Sequence, residues 1–166
     1  MRIVAAALLI LLAAGLQGSP LNDLLTWQID LLLVLVISWA VGTGPKGGLA
    51  MGFVAGTVQD VLLGGGFTYA ILKALIGLMA GGIRPFLHDK QGMVVTPLIV
   101  VFSLLQDGAI AMTLGLQGFG LPWGQQMAIA LPVAAGSALL GWPISLGIRA
   151  VLHRTRNPWA LRESQS

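Results

Sequence analysis

The stretch GGLAMGFVAGTVQDVLLGGGFTYAILKALIGLMAGGI, from Gly47 to Ile83, decides how this chain folds. Its first arm, Gly47 to Leu63, is apolar apart from Thr57, Gln59 and Asp60. Three consecutive glycines, Gly64, Gly65 and Gly66, can only be a tight turn. A second apolar arm runs from Phe67 to Ile83, interrupted by Lys73. A hydrocarbon core of about 30 Å needs about 20 apolar residues per helix, with a range of about 17–25. Each arm just meets that length, so the segment reads as a transmembrane helical hairpin.

The faces of this hairpin are patterned. Gly48, Gly52 and Gly56 recur every fourth residue, and at 100° per residue they drift only about 40° per step. Gln59 and Asp60 fall on the same face, within an arc of about 120°. On the second arm Lys73, Gly77, Gly81 and Arg84 form a similar stripe, and Ser137, Gly141, Ser145 and Arg149 form another later in the chain. Small residues at this spacing let helix backbones approach closely. These faces are therefore expected to meet other helices. Packing within the bundle is the simpler use, and docking of a partner protein is the other.

Working outward, the whole chain has the composition of a membrane protein. Of 166 residues, 56% are hydrophobic and only 9% charged, against about 25% charged in soluble domains. The 23 glycines suit closely packed membrane helices. A net charge of +3 is too small for a nucleic-acid-binding surface, so no nucleic acid is expected as a partner. Cysteine is absent, which excludes disulfides, thiolate metal sites and cysteine nucleophiles.

Four further apolar spans flank the hairpin: Ile3 to Gln17, Ile29 to Val41 (starting as early as Leu24), Met93 to Leu116, and Gln126 to Leu152. The sequence thus predicts an all-α, polytopic membrane protein with about six transmembrane helices. Residues 1–152 form a single transmembrane domain, and residues 153–166 a basic cytoplasmic tail. The first span also has the charge and length of a signal peptide, but Gly15-Leu16-Gln17-Gly18-Ser19-Pro20 is a poor cleavage site, so it is expected to be retained. Pro45, Pro85 and Pro122 lie at span ends, where a missing N–H costs little.

The cations set the orientation. Arg2 precedes the first span, Lys46 lies between the second and third, and Arg84 and Lys90 lie between the fourth and fifth. Arg149, Arg154, Arg156 and Arg162 close or follow the sixth. The three alternate connections carry no Lys or Arg. Basic and cation-free loops alternate as the positive-inside rule requires for an even number of spans. Both termini are therefore expected on the cytoplasmic side of the membrane. Trp27, Trp123 and Trp159 sit where interfacial anchors belong. The basic tail most simply meets anionic lipid headgroups.

A few polar groups fall inside the spans. Lys73 is costly there without a partner. The Gly turn brings Asp60 alongside it, which predicts an Asp60–Lys73 ion pair supported by Gln59. Such a pair clips the hairpin together, or else lines an outward-facing cavity or meets a partner. Asp107, with Gln106 and Ser103, lies near the middle of the fifth span. Intramembrane carboxylates are functional candidates by default, but a proton or ion relay needs a chain of them, and Asp30, Asp60 and Asp107 are expected at different depths. Gly56-Thr57-Val58-Gln59-Asp60 and Ser103-Leu104-Leu105-Gln106-Asp107 echo one another faintly.

No catalytic or metal chemistry stands out. His88 and His153 are the only histidines, and neither has ligands at metal spacing. There is no P-loop and no Gly-x-Ser-x-Gly elbow. A non-enzymatic protein without cofactor or metal is expected.

The segment Gly52-Phe53-Val54-Ala55-Gly56-Thr57-Val58-Gln59-Asp60-Val61-Leu62-Leu63-Gly64-Gly65 resembles the signature of the bacterial rod shape-determining protein MreD family. That family typically reads Gly-Phe-x-x-Gly-x-x-x-Asp and then a short Gly-rich turn. Leu72 to Gly81, with Lys73, Gly77 and Gly81, resembles its next helix. Thr68 departs from the glycine that members often carry after the turn. The resemblance implies a scaffold of the cell-wall elongation machinery. Its expected partner is MreC, and through MreC it would reach a SEDS glycosyltransferase, a class B penicillin-binding protein and the MreB cytoskeleton. It also implies a fold resembling the S component of energy-coupling-factor transporters. A substrate-capturing S component is the competing function. The candidate residues for partner binding or structure are Gly48, Gly52, Gly56, Gln59, Asp60, Lys73, Gly77, Gly81 and Asp107.

Overall fold

The structure is a computed structural model that describes residues 2–17, 29–63, 66–86, 91–118, 120 and 122–156. Six α-helices occur among the described residues: α1 (Arg2–Gln17), α2 (Leu31–Thr43), α3 (Pro45–Leu63), α4 (Thr68–Gly82), α5 (Gln91–Leu116) and α6 (Trp123–Arg156). A short 3-10 turn, Arg84–Phe86, follows α4. No strand occurs among the described residues. Trp27, Gly64, Gly65, His88, Lys90, Trp159 and Arg162 lie outside the described residues, as does the tail beyond Arg156.

The shortest of the six, α2, is the axis of the bundle. Its sequence LLLVLVISWAVGT is apolar all round, and a helix with no polar face must be covered on every side. Every residue from Leu32 to Val41 is buried, and α2 packs against each of the other helices. One core joins Leu33, Val34 and Ile37 of α2 to Ile76 of α4, Ile99 and Phe102 of α5 and Ala138 of α6. A second joins Leu32, Leu35 and Trp39 to Ile10 of α1, Met51 and Ala55 of α3 and Ile148 of α6.

The exterior is also apolar. Leu11 and Leu12 on α1, Phe53 and Val61 on α3, Ile71 and Met79 on α4, Val101 and Met112 on α5, and Leu131 and Leu139 on α6 are all exposed. A soluble monomer rarely presents such a continuous apolar surface. In lipid it is the expected outer face. Three described segments are long and apolar enough to cross a membrane: Thr68–Phe86, Val94–Leu116 and Gly124–Ile148. Ala6–Leu16 and Leu31–Thr43 are shorter apolar helices. This is a helical membrane protein.

At 13 residues, α2 extends only about 20 Å, less than the hydrocarbon thickness. It ends at Gly44, whose φ of 94° and ψ of −176° are open to glycine and hardly any other residue. Its N–H donates to Ala40 O, and Pro45 then opens α3 at once. The chain thus reverses at a single residue. Helix α6 runs 34 residues and contains Pro132 and Pro143, as α5 contains Pro97. Interior prolines of this kind are tolerated where neighbouring helices re-satisfy the backbone.

The glycine stripes of α3 and α4 face each other. A methyl group on Gly48 would strike the carbonyl of Gly77, and one on Gly77 the carbonyl of Gly48. The same holds for Gly52 against Lys73 O, Gly56 against Tyr69 O, and Gly81 against Gly44. The two backbones touch along the length of the hairpin, and only glycine permits that approach.

Candidate functional site: a buried polar node at one end of the bundle

Asp30 stands at the N-terminus of α2, whose ten buried residues from Leu32 to Val41 are all apolar except Ser38. Its Oδ1 accepts the Leu33 N–H at 2.8 Å, so it caps the helix. Four N–H groups at a helix start lack intrahelical partners, and a carboxylate there also meets the positive end of the helix dipole. Its Oδ2 accepts from Lys73 Nζ at 2.6 Å and from Gln106 Nε2 at 2.8 Å. Its backbone N–H donates to Ser137 Oγ at 3.1 Å. One residue thereby ties α2 to α4, α5 and α6.

Burial makes this node consequential. Lys73 has 0% of its surface exposed and Asp30 6%. An ammonium ion so enclosed is strongly unfavourable unless paired and hydrogen-bonded. Lys73 is held in register by its own backbone, because its carbonyl lies against Gly52. The glycine stripe and the ion pair are therefore one device: the close helix contact sets where the lysine starts, and Asp30 sets where it ends.

The expected Asp60–Lys73 pair does not form. Lys73 pairs with Asp30. Asp60 instead reaches across the hairpin turn and caps α4. Its Oδ1 accepts the Tyr69 N–H at 3.1 Å and its Oδ2 the Ala70 N–H at 2.8 Å. The reason is local. Phe67, at the cap position of α4, has a left-handed φ of 61° and a side chain that cannot accept a hydrogen bond. The orphan N–H groups of the first turn need an acceptor from elsewhere, and Asp60 is the nearest. Gln59 is buried beside it, and its Oε1 has no hydrogen-bond partner among the described residues.

Asp107 lies on α5 one residue after Gln106 and is only partly buried. It interacts electrostatically with both Asp30 and Lys73. Tyr69 feels Asp30, Asp60 and Asp107 together. The three carboxylates, expected at separate depths, thus gather around one end of the bundle. Gly48, Gly77 and Gly81 lie toward the other end, near Gly44 and the Arg84 guanidinium.

Sequence reasoning missed Asp30, Gln106 and Ser137 as members of the site. A signal for Asp30 existed: an aspartate immediately before an unbroken apolar run is a helix cap. Its choice by Lys73 over Asp60 depends on helix packing that the sequence does not display.

A profile of the rod shape-determining protein MreD family matches residues 1–128. The chain belongs to the MreD family. The match takes in α1 to α5 and the start of α6, and so Asp30, Lys73 and Gln106, while Ser137 lies beyond it. Among curated proteins, a UPF0397 protein of Streptococcus sanguinis (strain SK36) is 31% identical over 86 residues, covering 51% of this chain and 48% of that protein. The chain therefore spans about half the length of this curated relative. No solved structure matches it. Membership makes this MreD-family chain a cell-shape membrane protein.

Proposed function

We propose that this MreD-family protein is a non-enzymatic scaffold of the bacterial cell-wall elongation machinery. It sits in the inner membrane with both termini in the cytoplasm, binds MreC, and through MreC links peptidoglycan synthesis enzymes and MreB to one membrane site. The observation that carries this reading is the family match over residues 1–128. The internal geometry agrees with it. Asp30, Lys73 and Asp60 are engaged in joining helices rather than in activating a nucleophile. The placement of Arg84 beside Gly44 puts two of the cation-bearing connections at one end, in keeping with the positive-inside rule.

The test is a pull-down of the tagged protein in mild detergent, with mass spectrometry of everything retained. MreC and wall-synthesis proteins are expected. Recovery of an ATPase pair with a small transmembrane coupling subunit would overturn the scaffold and make the chain a transporter S component.

A further inference from the structure

The polar node is one positive charge short, and its unused oxygens lie on one turn of α5. Asp30, Asp107 and Lys73 contribute two carboxylates and one ammonium group, a formal charge of −1, while the Asp60 carboxylate at the same end is taken up by the first-turn N–H groups of α4. Asp30 is fully engaged. Ser103 Oγ, Gln106 Oε1 and Asp107 Oδ2 are each buried with no hydrogen-bond partner among the described residues. The first two belong to side chains only 2% and 3% exposed. Their spacing, i, i+3 and i+4, puts all three on one face of the helix.

The Gln106 amide fixes the direction. Its Nε2 donates to Asp30, so Oε1 is the free end of a group anchored in the node. Turning the amide over would set two oxygens against each other. The three groups present only oxygens as free acceptors, two neutral and one charged. Nitrogen and sulfur ligands are absent, and no set of three His, Cys, Asp or Glu side chains suited to a metal occurs among the described residues. Hard oxygen donors with a single uncompensated charge match a monovalent cation better than a divalent or transition ion.

We propose that Ser103, Gln106 and Asp107 bind a monovalent cation, either an alkali ion or the head of a primary ammonium compound, at the polar end of the bundle. Three oxygens satisfy the three N–H donors of a primary ammonium as well as half the coordination of a sodium-sized ion. Asp107, the part-exposed member, is the point of entry. The bound cation supplies the missing charge and partners for three buried acceptors, so it stabilises the folded bundle.

Thermal unfolding of the purified full chain, followed by tryptophan fluorescence, tests this. NaCl, KCl or methylammonium chloride is titrated against N-methylglucamine chloride at constant ionic strength. A saturable rise in melting temperature with one or more of the three small cations is expected, and the arm that gives it identifies the class. Asp107→Asn should weaken the effect at least tenfold, and Ser103→Ala should weaken it while leaving the starting melting temperature nearly unchanged. If the melting temperature is indifferent to which cation is present, ordered water fills the site and the proposal fails. It fails equally if Asp107→Asn and Ser103→Ala both respond as the parent does.

Discussion

Replacing Lys73 by methionine should be among the most damaging single changes in this protein. The side chain keeps its length and loses its charge. Asp30 would retain the Leu33 N–H and Gln106 Nε2 at 2.8 Å each, but lose the ammonium at 2.6 Å. With Lys73 at 0% and Asp30 at 6% exposure, no water replaces it. Removing one partner of a buried ion pair costs about 3–5 kcal/mol, because the other charge is left uncompensated. Asp30→Asn should cost a similar amount, for it strands the ammonium instead. The double variant removes both charges, and asparagine still caps α2. It should therefore be no worse than either single change, a coupling of about 2 kcal/mol or more. Reversible unfolding in mixed micelles measures all three. Asp60→Asn combined with Lys73→Met is the control, and these two should add to within about 0.5 kcal/mol. Additive defects at Asp30 and Lys73, with coupling at Asp60 instead, would refute the pairing and restore the hairpin clip.

The same unfolding assay reaches three other features, and labelling a fourth. Gly52→Ala should cost about 1–3 kcal/mol, the usual range for overpacking, since its methyl meets the Lys73 carbonyl; Gly108→Ala, with open space around it, should be neutral or stabilising by up to about 1 kcal/mol. Asp60→Ala should cost about 0.5–2 kcal/mol through loss of the α4 cap, and Asp60→Asn less, since one acceptor remains. Because the chain has no cysteine, single cysteines report topology cleanly. Ser164→Cys should react with an impermeant maleimide only after the membrane is opened, and Gln117→Cys in intact cells; the reverse pattern would invert the proposed orientation.

Helical class and the close pairing of α3 with α4 were legible because both rest on local periodicity. A four-residue glycine repeat on each side of a glycine turn leaves few other arrangements. The centrality of α2 was not read, although the signal was there: a helix with no polar face has to be covered on every side. What could not be read was which acid takes Lys73. Two aspartates compete, and sequence proximity favours Asp60 by a wide margin. The outcome turns on Phe67, whose left-handed backbone leaves the α4 N-terminus uncapped and draws Asp60 away. A conformation at one residue thus decides the partner of another across the bundle, and neither periodicity nor composition carries that information. The count of six spans rests on the apolar runs, three of which meet the length and hydropathy of a span among the described residues, and the orientation rests on the distribution of cations.

The packing also constrains how binding defects should be interpreted. Gly48, Gly52, Gly56, Gly77 and Gly81 were expected to pack inside the bundle first and to meet a partner second, and each has another backbone within the reach of a methyl group. Lys73 is sealed from every surface. A docking partner, the proposed MreC included, cannot touch these atoms without prying α3 from α4. A glycine variant that loses the partner should therefore lose stability in proportion, and a second-site stabilising change elsewhere should restore both together. If Gly52→Ala or Gly77→Ala abolished partner capture while its unfolding free energy stayed at the parent value, the stripe would have to open in the complex, and the hairpin would be a switch rather than a weld.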